Sequence, residues 1–214
     1  GTATGGAGSD TLSTIENLTG SAFADTLTGD GNANVLIGGA GADALNGGGG
    51  IDMADYSAAV TPVTVDLQNG VGAGGEAQGD TFANIENITG TNGLAADRDT
   101  LCGNAGANTI LGLGGNDYLE GGGGTDTLDG GANWDTVRYT RSASGVTVNL
   151  ATTVHTAGPA AGDVLSNIEA VTGSNHNDTL TGSTANDTFN GGSGNDTLAG
   201  GAGADVIDGA AGND

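Results

Sequence analysis

The residues of this chain that could do chemistry are its acids. Asp and Glu number 26 against three basic residues, Arg98, Arg138 and Arg141, with no lysine, for a formal charge of −23 over 214 residues. The acids are periodic. An Asp or its amide recurs every nine residues in three series: Asp25, Asn34, Asp43 and Asp52; then Asp99, Asn108, Asp117, Asp126 and Asp135; then Asp178, Asp187, Asp196, Asp205 and Asp214. Each is the sixth residue of a unit whose first, second and fourth places favour glycine, as in GGAGADALN at 38–46, GGGGTDTLD at 121–129 and GGSGNDTLA at 191–199. A carboxylate supplies a hard anionic oxygen, and glycine lets carbonyl oxygens approach by taking positive φ without steric cost. A donor set made only of oxygens suits calcium. Softer ligands are few: Cys102 is the one cysteine and His155 and His176 are isolated, which argues against zinc or copper.

Positioning such acids requires a repeating backbone, and the eighth place of each unit shows what holds it. That place carries Leu27, Leu36, Leu45, Ala54, Leu101, Ile110, Leu119, Leu128, Val137, Leu180, Phe189, Leu198 and Ile207, so twelve of thirteen units offer one large apolar side chain. A nine-residue period with one inward residue per unit predicts an all-β solenoid of short stacked strands. One apolar residue per unit is too little to offset the entropy of ordering a glycine-rich nonapeptide, and stacked aspartates repel. A bound divalent cation would cancel that repulsion and convert its binding free energy into folding free energy.

A longer repeat overlies the short one. Residues 56–89 and 139–172 align without a gap over 34 residues, with Tyr56 on Tyr139, Val63-Thr64-Val65 on Val146-Thr147-Val148 and Asn84-Ile85-Glu86 on Asn167-Ile168-Glu169. Their V-T-V-x-L runs alternate as strands do. Ser9 to Thr19 matches the tail of the same insert. The expected organisation is an insert tail at 1–19, repeat block 20–55, insert 56–89, block 90–138, insert 139–172 and block 173–214, the chain opening and closing partway through units of a longer protein. The cations are expected in three groups. Asp80 and Asp163 read as turn or helix-capping acids ahead of auxiliary cation ligands, Glu86 and Glu169 as structural, Tyr56 and Tyr139 as packing where block meets insert, and Trp134 as covering an edge. Asn133, at a fourth place, is expected to tolerate left-handed φ.

The composition also excludes. A chain this acidic offers phosphate backbones nothing, so nucleic acid is not a partner. No apolar run is long enough to insert in a membrane. A lone cysteine makes no internal disulfide, and no nucleophile, base and orienting acid can be assembled except from repeat residues, so no catalysis is expected.

The G-G-x-G-x-D-x-U-x units, U being large and apolar, closely resemble the hemolysin-type calcium-binding repeats of the RTX family of secreted bacterial proteins. The resemblance covers nearly the whole chain. It implies a right-handed parallel β-roll in which two nonapeptides form one coil and each calcium lies between loops 18 residues apart. Carried onto this chain, it pairs Asp25 with Asp43, Asn34 with Asp52, Asp99 with Asp117, Asn108 with Asp126, Asp117 with Asp135, Asp178 with Asp196, Asp187 with Asp205 and Asp196 with Asp214. Sites containing Asn34 or Asn108 are expected to bind more weakly. The implied role is a structural module that folds on extracellular calcium within a larger secreted or cell-surface protein exported by type I secretion. Two alternatives are a surface-layer, filament or adhesin subunit that associates with its own copies end to end or side by side, and the tail of an exoenzyme whose catalytic domain lies elsewhere.

Overall fold

The computed structural model describes residues 2–5, 8–11, 14–152, 155 and 158–214, with the backbone alone at 2–5 and 8–11. Every nonapeptide places a strand of three residues at its seventh to ninth positions, Thr26–Thr28 and Thr127–Asp129 for example. In so short a strand the middle side chain points to one face and its neighbours to the other. The middle residue is the apolar eighth one. Leu27, Leu36, Leu45, Leu101, Ile110, Leu119, Leu128 and Leu180 are all fully buried.

Successive strands fall alternately on two sheets, so parallel partners lie two nonapeptides apart. Leu27 sits beside Leu45, Leu101 beside Leu119, and Leu119 beside Val137 in one sheet. Ile110 sits beside Leu128 in the other. The core is two facing columns of eighth-position side chains. This is an all-β parallel roll. No helix of the described residues is long and apolar enough to cross a membrane; the 3-10 turns Gly75–Ala77 and Gly158–Ala160 are the helical elements.

Both inserts are split between two coils. The last part of the first insert continues the coil before it: Thr81–Ala83 pairs in parallel with Ala44–Asn46, and Asn87–Thr89 with Met53–Asp55. Its first part supports the coil after it, Thr64–Asp66 lying in parallel register with Thr100–Cys102. An antiparallel strand, Val71–Ala73, bridges the two and keeps the sheet continuous. The second insert repeats the division, with Val164–Ser166 on Thr127–Asp129, Ala170–Thr172 on Thr136–Arg138, and Thr147–Asn149 against Thr179–Thr181. Five nonapeptide strands separate the inserts, and an odd number reverses the face, so the second insert interrupts the opposite sheet. Residues 153, 154, 156 and 157 of that insert lie outside the described ones.

At the other end, Thr2–Gly5 and Gly8–Thr11 form an antiparallel hairpin, and Thr2–Gly5 runs antiparallel to Thr26–Thr28. Asn17–Thr19 lies on Val35–Ile37. Positive φ occurs at Thr14, Asn84 and Asn167, which the insert alignment places at one position. Residues 1, 6, 7, 12 and 13 of the 1–19 segment lie outside the described ones.

Candidate metal centre

The sixth-position residues stack along the two flanks of the roll. In each of the eight pairs, the backbone N–H of the earlier residue donates to Oδ1 of the residue 18 further on: Asp25 to Asp43, Asn34 to Asp52, Asp99 to Asp117, Asn108 to Asp126, Asp117 to Asp135, Asp178 to Asp196, Asp187 to Asp205 and Asp196 to Asp214, at 2.7–3.0 Å. The coil of two nonapeptides makes this possible, because it returns the chain to the same flank every 18 residues.

The sixth-position residues differ in what remains of the side chain. Asp43, Asp52, Asp117, Asp126, Asp135 and Asp196 are each at most 5% exposed, yet their Oδ2 atoms have no hydrogen-bond partner among the described residues. A buried carboxylate oxygen with no donor is costly and calls for a cation. Asp25, Asn34, Asp99, Asn108, Asp178 and Asp187 are already satisfied. Ser21, Thr91, Ser174 and Ser183 donate backbone N–H groups to Oδ2 of Asp25, Asp99, Asp178 and Asp187, each at 2.6 Å, and their hydroxyls add second bonds. Asn34 accepts the N–H of Asp30 at 2.8 Å and donates its amide to the Ile15 carbonyl at 3.0 Å. Asn108 accepts from Asn104 and donates to the Glu86 carbonyl.

The cause of the division is the residue at the second place. Where it is glycine, φ is positive and its N–H turns away from the acid. Gly192, with φ 96°, lies so close to the preceding coil that a Cβ would run into the Ser174 carbonyl, and at Gly194, φ 133°, a Cβ would come within 2.7 Å of the His176 oxygen. Loop and preceding loop thus converge through backbone carbonyls next to the free oxygen of Asp196. The same conformation persists at Leu113 (φ 71°) and Ala210 (φ 65°), where a side chain makes it unfavourable. Asn133 at the fourth place has φ 89°. Asp205 and Asp214 follow Gly201 and Ala210 and so share this geometry, in a more exposed coil. Satisfied acids follow Ser, Thr, Asp or Asn at the second place, and they occupy the first coil of each block.

Electrostatics agree with the geometry. Burial pushes Asp117 and Asp126 up to about 7 and Asp135 up to about 6. Asp43 and Asp52 are raised for the same reason. Each would be more stable ionised if a cation stood beside it. The donors on offer are one carboxylate per gap plus carbonyls, all oxygen, which fits a hard ion such as calcium. Among the described residues no three His, Cys, Asp or Glu side chains converge. Cys102 is buried with its thiol pushed up to about 11, and His155 is buried with its pKa lowered by desolvation.

The inserts close the first two series, and here the structure adds partners that the nonapeptide reading missed. Asp80 and Asp163 accept the N–H groups of Asp43 and Asp126 at 2.8 and 2.9 Å, and Glu86 and Glu169 those of Asp52 and Asp135 at 2.9 Å. The second oxygens of Asp80 and Asp163 are filled by the buried hydroxyls of Tyr56 (2.6 Å) and Tyr139 (3.3 Å). At the start of the next block, Val63 and Val146 donate to Asp99 and Asp178, both at 2.8 Å. A signal was present: Asp80-Thr81-Phe82, Glu86-Asn87-Ile88 and their equivalents repeat the acid, spacer, apolar triplet that ends every nonapeptide. The unit ending at Cys102 also differs from a plain nonapeptide. Its turn begins at Gly90 and Thr91, and the longer loop widens the pairing of Ile88 with Ile110 to 22 residues.

Known sequences bear on the same residues. A four-copy model of the RTX calcium-binding nonapeptide repeat matches residues 19–54, 96–137, 172–207 and 181–214, together more than half of the chain. No curated protein sequence matched it. With the parallel roll and the spacing of its acids, the chain belongs to the family of RTX calcium-binding nonapeptide repeats.

Proposed function

We propose that this chain is a structural module that folds when it meets calcium outside the cell, as part of a larger secreted or cell-surface protein. The observation that carries this reading is the set of buried, unpartnered Oδ2 atoms, each beside the loop of the preceding coil. With calcium bound, an ion would supply the positive charge that these oxygens lack. Asp43, Asp52, Asp117, Asp126, Asp135, Asp196, Asp205 and Asp214 would contribute the carboxylate of each site, and the loop 18 residues earlier its carbonyls. Asp25, Asn34, Asp99, Asn108, Asp178 and Asp187 would hold the first loop of each block in shape. On this reading Asn34 and Asn108 do not weaken their sites, because an amide can donate to the carbonyls of residues 15 and 86 and a carboxylate cannot. The ions would form three groups, the first two bounded by insert acids, of which Asp80 and Asp163 have both oxygens already occupied.

In a calcium-poor cytosol the buried charge would keep the chain unfolded, which suits export before folding. The millimolar range of extracellular modules would then be sufficient to fold it. Far-UV circular dichroism with calcium and with chelator tests the proposal. A chelated chain at neutral pH that already shows the full β signal would refute it.

A further inference from the structure

The three arginines stand out in so acidic a chain, and two of them form no ion pair among the described residues. Every ion pair among the described residues belongs to Arg141, which reaches Asp66 at 2.8 Å and Glu120 at 3.7 Å. Arg98 and Arg138 come from the coils before and after Tyr118 and stack on its ring, their guanidinium carbons 4.3 and 4.7 Å from the centroid. Arg98 also donates to the Asn116 carbonyl and the Tyr118 hydroxyl, at 2.8 and 2.9 Å. Among the described residues the Arg138 guanidinium makes no hydrogen bond, so its contact is the ring. Trp134, 40% exposed, is set beside them by its own N–H, which donates to the Asn116 side chain at 3.0 Å. Arg98, Tyr118, Trp134 and Arg138 line one side of an open groove of about 350 Å³ on the outer face of the roll, and Thr172 and Asn190 line the other.

We propose that this groove binds the carboxylated sugars of an acidic polysaccharide. Stacking holds both guanidiniums in fixed planes; Arg138 keeps its N–H groups free and Arg98 keeps those left over from its bonds to Asn116 and Tyr118, and a planar fork of that kind matches a carboxylate. The exposed indole face offers an apolar surface for a sugar ring, and Thr172 and Asn190 offer hydrogen bonds to hydroxyls. The groove runs across several strands, along the roll, so a chain-like ligand fits it. An extended acidic peptide fits less well. Strand addition needs a free sheet edge, and here the backbone is paired on both sides, Ala170 with Thr136 and with Thr188. Of the acids on this sheet, Glu120 is held by Arg141 and Asp208 lies beyond Asn190, so the charged side chains that line the groove itself are the two arginines.

Trp134 is the only tryptophan of the chain, so its fluorescence reports on the groove directly. The calcium-saturated chain is titrated with a hexasaccharide of hyaluronan, in which a uronate alternates with a neutral sugar, by fluorescence and calorimetry. Saturable binding with a change in Trp134 emission is expected. Arg98→Gln combined with Arg138→Gln should weaken it roughly tenfold or more, with the calcium needed for folding unchanged. Should the double variant need more calcium, Arg138→Gln alone serves, since its guanidinium makes no hydrogen bond in the fold. Absence of binding, unchanged affinity in these variants, equal binding of neutral dextran, or equal binding of poly-glutamate would each overturn the proposal. The last result would point to an acidic peptide, and unchanged affinity to calcium bridging at the loops.

Discussion

Asp196→Asn and Asp178→Asn, taken as a pair, test the division of labour between the two members of a site. Asp196 has one oxygen on the Asp178 N–H and one buried without a partner; both oxygens of Asp178 are taken by Ser174 and Val146. Asn at 196 keeps an acceptor for the Asp178 N–H and removes the charge. A site with a Kd of roughly 0.1–1 mM, held at about 10 mM calcium, contributes roughly 1.4–2.7 kcal/mol by mass action, and Asp196→Asn should lose most of it. Its deficit should shrink as calcium is lowered, because without the ion the buried charge is a cost. Asp178→Asn turns an NH2 toward one of the N–H donors that the carboxylate accepts and should cost about 1–3 kcal/mol, independent of calcium. Urea unfolding of both variants at several fixed calcium concentrations, with the number of bound ions from calorimetry, separates the two. Equal shifts of the calcium midpoint in both variants, or a loss at Asp196→Asn that persists in chelator, would refute the assignment.

Other expectations follow from burial. Asp117 and Asp126, raised to about 7 from the ordinary carboxylate value of 3.8, favour the folded state below the lower value, and that contribution is lost as pH rises through the upper one; calcium-free chain should therefore gain β structure between pH 8 and pH 5, and a flat circular dichroism signal across that window would contradict the burial argument. Leu119→Ala, truncating a fully buried side chain between Leu101 and Val137, should cost about 2–5 kcal/mol, seen as a higher calcium requirement, whereas Leu198→Ala, only partly buried, should cost less. Tyr56→Phe strips the donor from a buried oxygen of Asp80 and should cost about 1–3 kcal/mol; chemical unfolding that shows no change would mean that water replaces the hydroxyl.

Much of this was legible because the backbone is locked to the sequence period. Once two nonapeptides form a coil, residues 18 apart must meet, and the eight acid pairs follow from the resemblance alone. The inserts were harder to read. Their alignment with each other was clear, but Tyr56 meets Asp80 and Val63 meets Asp99 across 24 and 36 residues, outside any fixed period. The arginine stack was hidden for a related reason. Arg98, Tyr118 and Arg138 lie 20 apart, two more than the coil, so they occupy the fifth, seventh and ninth places of successive coils, a diagonal that periodic alignment passes over.

The sequence by itself determined the period, the inward column at every eighth place, the acid at every sixth and the oxygen-only chemistry, since each depends on residue type at a fixed spacing. Only the tertiary structure decided which acid of a pair keeps a free oxygen and to which coil each half of an insert belongs. The first turns on the φ of a residue four positions earlier and on the loop packed against it. The second turns on which apolar column a strand can extend without leaving a coil uncovered. Both are settled by contacts between coils, which no single nonapeptide contains.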